Sequence, residues 1–261
     1  MTANEIKTQF YKALDGLGEK QRVLIIPPDF TRFHSYAGPL TEWAWEYYGD
    51  KVKAILPALG THTGMTSAQI RKMFGQVPES LFVIHNWRTD IVTLGEVPGE
   101  YVAELTEGKL DFSWPVQVNK LLLEGNFDLI LSIGQVVPHE VVGMANHNKN
   151  IFVGTGGPEG INKSHFVGAV YGMERMMGRA DTPVRRMFDY GSEHFAKELP
   201  ICYVLTVVGS SGVSGLFTGF DKSCFNQAAE LALKENFKML NKPLQKVLVY
   251  LNPEEFKSTW L

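Results

Sequence analysis

The sequence predicts an α/β fold built on a mixed or mostly parallel sheet with flanking helices, and two observations carry that expectation. Short apolar runs rich in β-branched residues alternate with longer stretches of helical periodicity. Polar, glycine-bearing and proline-bearing loops follow several of the runs, and open α/β sheets place their ligands at such strand ends.

The opening MTANEIKTQFYKALDGLG reads as an amphipathic helix with charges scattered through it. Strands are expected over 22–27, 52–59, 81–84, 127–133, 151–153, 201–208 and 247–251, where the apolar runs lie. Helices are expected over 39–48, 66–74, 160–177 and 221–240. Thr66 and Asp221 stand where N-caps would stand for two of them. Pro243, within LNKPLQ, stops the last helix before a fresh strand. The expected organisation is therefore one α/β domain over 1–242 and the start of an incomplete second α/β domain over 243–261. The chain shows no internal repeat and no low-complexity segment.

Composition narrows the partners. With 261 residues, 44% hydrophobic and 20% charged, the chain can bury a sizeable core. A formal net charge of -3 without clustered Lys or Arg gives no electrostatic reason to expect nucleic acid, so a small molecule or another protein is the expected partner. Two cysteines, Cys202 and Cys224, make neither a disulfide framework nor a zinc site, and a reducing cytoplasm fits them. No basic flank leads into a long apolar core, so neither export nor a membrane anchor is expected.

Three loops carry chemistry. IIPPDFTRFHS offers Asp29, Thr31, Arg32 and His34 after a strand. It reads either as a side-chain-stabilised turn or as a site where Arg32 presents a planar fork to a carboxylate or phosphate, oriented by Asp29 and Thr31. LPALGTHTGMTSAQI carries His62 between Gly60 and Gly64, either a hydrogen-bonded structural histidine or one brought close to a ligand. The stretch from Gly134 to His165 supplies His139, His147, Lys149, Lys163 and His165 with four glycines before a helix. Its histidines lack the close spacing of a metalloprotease helix, and GTGGPEG is neither a P-loop nor a dinucleotide fingerprint. His147 reads as a surface loop residue or a cofactor contact. His85, Tyr171, the methionines of YGMERMMGR and the aromatics of TEWAWEYY read as core or interface.

Taken together and in order, the three loops resemble the nickel-pincer-dependent lactate racemase family of 2-hydroxyacid racemases and epimerases. PPDFTR resembles that family's Asp-x-Thr-Arg segment, and GTHTGMT its Gly-Thr-His segment before a helix. PHEVVG through INKSHF resembles its His, Lys and second His segment, with ten residues from His139 to Lys149 and sixteen from Lys149 to His165. The resemblance covers most of the chain. It implies the N-terminal, cofactor-binding domain of that fold, and a nickel-pincer nucleotide, a pyridinium mononucleotide with two thio-acid arms, covalently attached at Lys149. By the same resemblance His165 is the nickel ligand and His62 and His139 the acid/base pair. Arg32 contacts the substrate carboxylate, and Asp29 and Thr31 belong to the cofactor-binding set.

The implied reaction is reversible hydride transfer from the α-carbon of a lactate-like 2-hydroxyacid, with histidine handling the hydroxyl proton. A side chain with an unperturbed pKa of about 6.5 suits that task. The implied partners are the substrate and the enzymes that make and load the cofactor. The sequence departs from the family's best-known racemases at Thr63, where they have arginine, and at MANHNK, where they have a small, glycine-rich approach to the lysine. Two other readings stay open: a zinc hydrolase using His62, His139 and His165, and a truncated domain without catalysis.

Overall fold

The computed structural model describes residues 1–238 and 240–250. Helix α1 (Ala3–Gly16) starts with a capping box in which the Thr2 hydroxyl accepts from the Glu5 N–H and the Glu5 carboxylate from the Thr2 N–H. Its periodic apolar positions Ile6, Phe10 and Leu14 are buried. Strand β1 (Val23–Ile26), helix α2 (Ala37–Tyr48), strand β2 (Val52–Ile55) and helix α3 (Ser67–Phe74) follow. An excursion comes next, with β3 (Ile91–Val97), α4 (Gly99–Leu105), β4 (Trp114–Asn119) and α5 (Leu121–Glu124). Strand β5 (Leu129–Gln135) returns to the sheet and leads to the two-residue strands β6 (Pro138–His139) and β7 (Gly143–Met144). The remainder is α6 (Pro158–Tyr171), α7 (Met173–Met176), α8 (Pro183–Phe195), β8 (Ile201–Gly209), β9 (Gly212–Gly219) and α9 (Lys222–Asn236).

The central sheet has the order β2-β1-β5-β8-β9; its first four strands are parallel and β9 runs antiparallel to β8. A parallel sheet covered on both faces needs strands that are apolar throughout, and every residue of β1 is buried. Val23 and Ile25 enter the core shared with Phe10, Leu40 and Phe74 from α1, α2 and α3. Leu24 and Ile26 point the other way, into the core of Trp114, Phe152 and Phe188. From β1 the chain goes to β2 on one side, and β5 lies on the other. The order therefore reverses between β1 and β5, which opens a crevice beyond their carboxyl ends. Among the described residues, no helix is long and apolar enough to cross a membrane.

The predicted strands at 22–27, 52–59, 127–133 and 201–208 are the four parallel strands, and the caps at Thr66 and Asp221 are present. Residues 151–153 are not a strand: they lie in a single π-helical turn, Asn150–Gly154, and their apolar side chains are buried there instead. The run 81–84 gives only a 3-10 turn (Glu79–Leu81) and one bridge from Phe82 to Ile55. The helix expected over 160–177 breaks at Gly172, whose φ of 106° is open to glycine and costly for other residues. Of the strand expected at 247–251, residues 247–250 are exposed and pair with nothing among the described residues; residue 251 and the rest of the expected second domain, to 261, lie outside them.

Candidate active site

Strand β1 ends at Ile26, and two prolines that cannot continue the ladder bring the chain to Asp29 at the crevice. Asp29 is 6% exposed and caps a 3-10 turn, Phe30–Ser35. Its Oδ1 accepts from the Thr31 N–H at 3.0 Å and the Thr31 hydroxyl at 2.5 Å. Its Oδ2 lies 2.6 Å from Nδ1 of His62. Burial pushes the carboxyl up, but the hydrogen bonds from His62 and Thr31 outweigh it and hold Asp29 below the usual carboxylate range. Asp29 is thus ionised, and it fixes the His62 proton on Nδ1.

His62 arrives from the end of β2. Gly60, at φ 54°, donates its N–H to the Gly154 carbonyl at 2.8 Å, which ties this loop to the π turn. The His62 side chain is 58% exposed, and with Nδ1 engaged its Nε2 presents a lone pair. Arg32 is also exposed, and its charge reaches both His139 and Lys149. His34 is exposed and packs edge-on against Phe33 at 5.5 Å.

His139 stands at the far side of the crevice, in the small hairpin of β6 and β7 that follows β5. It is buried, and its Nδ1 accepts from the Val141 N–H at 3.1 Å, so the neutral ring carries its proton on Nε2. Burial, then the charges of Lys149, Arg32 and His165, push its pKa down to about 2. The Glu140 carboxylate lies 3.5 Å from the same Nδ1, but a neutral ring makes no ion pair with it.

The approach to Lys149 is bent. Asn146 and His147 both have left-handed backbones, at φ 67° and 59°, a region uncommon outside glycine in which Asn and His are among the residue types found most often. Lys149 then precedes the π turn, a local geometry that recurs at functional sites. Asn150 pins this turn to both strands of the crevice, donating to the Ile26 carbonyl at 3.2 Å and the Ser132 hydroxyl at 3.0 Å. The Lys149 amine makes no hydrogen bond or ion pair among the described residues. Burial first, and the Arg32 charge second, lower its pKa to about 8, so roughly a tenth is free amine at neutral pH, far more than for an ordinary lysine.

His165 projects from α6, a helix that Pro158 opens at its first position. Its Nδ1 donates to the Ile161 carbonyl at 2.7 Å, one turn back. Metal-binding histidines are commonly oriented in this way, and the arrangement leaves Nε2 as a lone pair. Burial lowers its pKa first, and the Lys149 charge adds to that.

Of the seven residues singled out from the sequence, Asp29 binds Thr31 and His62, and the charges of Asp29, Arg32, His139, Lys149 and His165 act on one another around the crevice. Other candidates do not join them. Lys163 donates to the Ser113 carbonyl at 2.8 Å and pairs with Glu159, and His85 is buried against the Gly156 carbonyl and Asn119. His147 is not a surface residue: it is buried between Tyr203 and Phe225, with ring centroids at 3.9 and 5.2 Å, and borders a separate cavity of about 290 Å³. Neither of its ring nitrogens has a partner in hydrogen-bonding geometry, although the Asp221 backbone and the Asn148 side chain lie close enough to favour its charged form. Sequence reasoning missed Glu140, whose charge acts on Lys149 and His165, and Arg185, a fully buried cation from α8 bonded to the loop before Lys149.

Residues 6–177 match the lactate racemase N-terminal domain. The chain belongs to the lactate racemase family. Two solved structures extend the likeness beyond the matched segment. A protein from Thermotoga maritima, 26% identical, superposes with a TM-score of 0.82 over 94% of this chain and 62% of its own. The lactate racemase apoprotein from Thermoanaerobacterium thermosaccharolyticum, 21% identical, shares the fold with a TM-score of 0.67 over 88% of this chain and 55% of its own. This family member therefore spans less than two thirds of the length of either structure. No curated protein matches it.

Proposed function

We propose that this lactate racemase family member racemises or epimerises a 2-hydroxyacid, using a nickel-pincer nucleotide joined to Lys149. One observation carries the reading. An Asp-held histidine, a buried histidine, an unpartnered lysine amine and a histidine with a free Nε2 converge on the carboxyl edge of one sheet.

The residues fit the group. Lys149 has a lowered proton affinity and no hydrogen-bond or ion-pair partner among the described residues, which raises the share of nucleophilic free amine at neutral pH. His165 is turned by the Ile161 carbonyl so that the nitrogen it offers is an imidazole donor of the kind nickel accepts. When bound, the nucleotide supplies reversible acceptance of a hydride, which avoids forming a carbanion beside a carboxylate.

The chain's own residues supply binding and proton handling. Arg32 would hold the substrate carboxylate by its guanidinium fork. His62 would take the hydroxyl proton on Nε2, and the ionised Asp29 would stabilise the imidazolium that results. His139 would serve the opposite enantiomer. Burial is the main reason its ring is neutral, and joining Lys149 to the nucleotide would remove the leading charge that adds to it. The zinc-hydrolase alternative draws no support, because no three His, Cys, Asp or Glu side chains among the described residues are grouped to hold a metal.

The test is peptide mass spectrometry with nickel quantitation on protein produced together with the cofactor-making enzymes. An adduct on the Lys149 peptide with stoichiometric nickel, followed by interconversion in a screen of chiral 2-hydroxyacids, is the expected result. An unmodified lysine under conditions that load a control racemase would sink the reading for this chain.

A further inference from the structure

We propose that Arg185 is a positioning residue for Lys149, its guanidinium fork fixing the loop that delivers the lysine to the crevice. Arg185 lies on α8, outside the segment that matches the family domain, and is 0% exposed. Among the described residues, the hydrogen bonds of its guanidinium all go to the segment 144–148. Nη2 donates to the Met144 carbonyl at 2.6 Å, and Nη1 to the Asn146 carbonyl at 3.1 Å and to the Asn148 side-chain oxygen. These acceptors span the two left-handed residues, Asn146 and His147, that bend the chain just before Lys149. Such backbone persists where its surroundings over-determine it, and the Arg185 guanidinium adds to the local bonds His147 N–H to Asn146 Oδ1 and Asn150 N–H to the His147 carbonyl.

The hold is itself held. The Asn148 amide donates to Asp189 at 2.8 Å, and Lys222, at the start of α9, bonds the other oxygen of Asp189 at 2.5 Å. The Arg185 guanidinium also lies over the Phe225 ring at 4.3 Å. Among the described residues no carboxylate bonds the guanidinium directly, so its geometry answers to the loop and not to an ion pair. A lysine could not replace it, because a single ammonium cannot present parallel donors along a fixed plane. The charged groups that act on Lys149 are Arg32, Glu140, Arg185 and Asp29; the loop sets its distance from all of them.

The value of placing Lys149 rests on its proposed role as the attachment point. The experiment reads the free amine without any nucleotide, so its failure is distinct from a failure to load. The purified chain and its Arg185→Lys and Asn148→Ala variants are acetylated with acetic anhydride across a pH series. Modification of Lys149 is read by peptide mass spectrometry against exposed Lys12, and amide exchange is followed over residues 145–150. In the unsubstituted chain the Lys149 profile should turn near 8. In both variants it should move up by about one unit or more, and the loop amides should exchange roughly tenfold faster while β1 and β5 stay protected. Asn148→Ala retains Arg185 and its carbonyl bonds, so it serves where Arg185→Lys does not fold. An unchanged Lys149 profile in Asn148→Ala, or in a folded Arg185→Lys protein that has lost only thermal stability, would overturn the proposal.

Discussion

Asp29 and His62, thirty-three residues apart in the chain, meet through a 2.6 Å contact between Oδ2 and Nδ1 that fixes which nitrogen of His62 is the base. Asp29→Asn keeps the shape but can donate to Nδ1, which would move the proton to Nε2 and remove the base. Racemisation by the loaded enzyme should fall on the order of 10²- to 10⁴-fold, the usual worth of a positioned acid/base group. Retained adduct and nickel, with the rate lost, would be the matching readout.

Asp29 also links stability to pH. Its folded proton affinity is below that of the unfolded chain, so its stabilising contribution is complete above the ordinary carboxylate pKa of about 3.9. It is lost as pH falls through the lowered folded value. Chemical denaturation between neutral and acid pH should show a shallower acid limb in Asp29→Asn.

His139 links stability to pH over a different range. Buried neutral, it stays unprotonated down to about 2, while an unfolded histidine takes its proton near about 6.5. Acidification below that point therefore destabilises the fold, by about 1.4 kcal/mol per pH unit per histidine. His139→Gln should remove one such slope from the denaturation profile of the unloaded protein; an unchanged slope would mean that the ring is protonated in place.

The Lys149 charge is the first of the neighbouring cations that depress His139. Lys149→Met should thus raise the His139 pKa from about 2, and an NMR titration of the ring should detect it. The same variant should form no adduct, whereas His165→Ala should keep the adduct at Lys149 and lose nickel. An adduct that survives Lys149→Met would place the attachment elsewhere.

His147 offers a test of packing alone. Both ring nitrogens are buried between Tyr203 and Phe225 with no partner in hydrogen-bonding geometry among the described residues, and such a deficit costs about 1–3 kcal/mol. His147→Phe should raise the melting temperature by roughly 2–4 °C for each kcal/mol recovered. A lower melting temperature would show that water in the adjoining cavity satisfies the ring.

The parallel strands were legible because burial on both faces writes an apolar run, as in Val23–Ile26. The site loops were legible because their residue types recur in order along the chain. The π turn at Asn150–Gly154 was not, since a short buried apolar run looks alike in a strand and in a helix. The β3–β4 hairpin escaped notice because its register shifts between Thr93 and Glu96, which breaks the alternation that would mark it. Arg185 sits in TPVRRMFDY beside a second arginine, Arg186, that pairs with Asp181 at the surface. Local sequence does not say which of the two is buried; only the loop packed against α8 decides.

The strand order has a practical consequence for anyone trimming this protein. Strand β8, which begins at Ile201, covers the flank of β5 opposite β1, and a product stopping where the family domain match ends, at residue 177, would lack it. β5 would then present unpaired backbone groups from Ile130 to Gln135 on a mostly apolar strand, a template for intermolecular pairing. Such a truncation should be recovered as aggregate, even though all seven of the site residues picked from the sequence precede the cut.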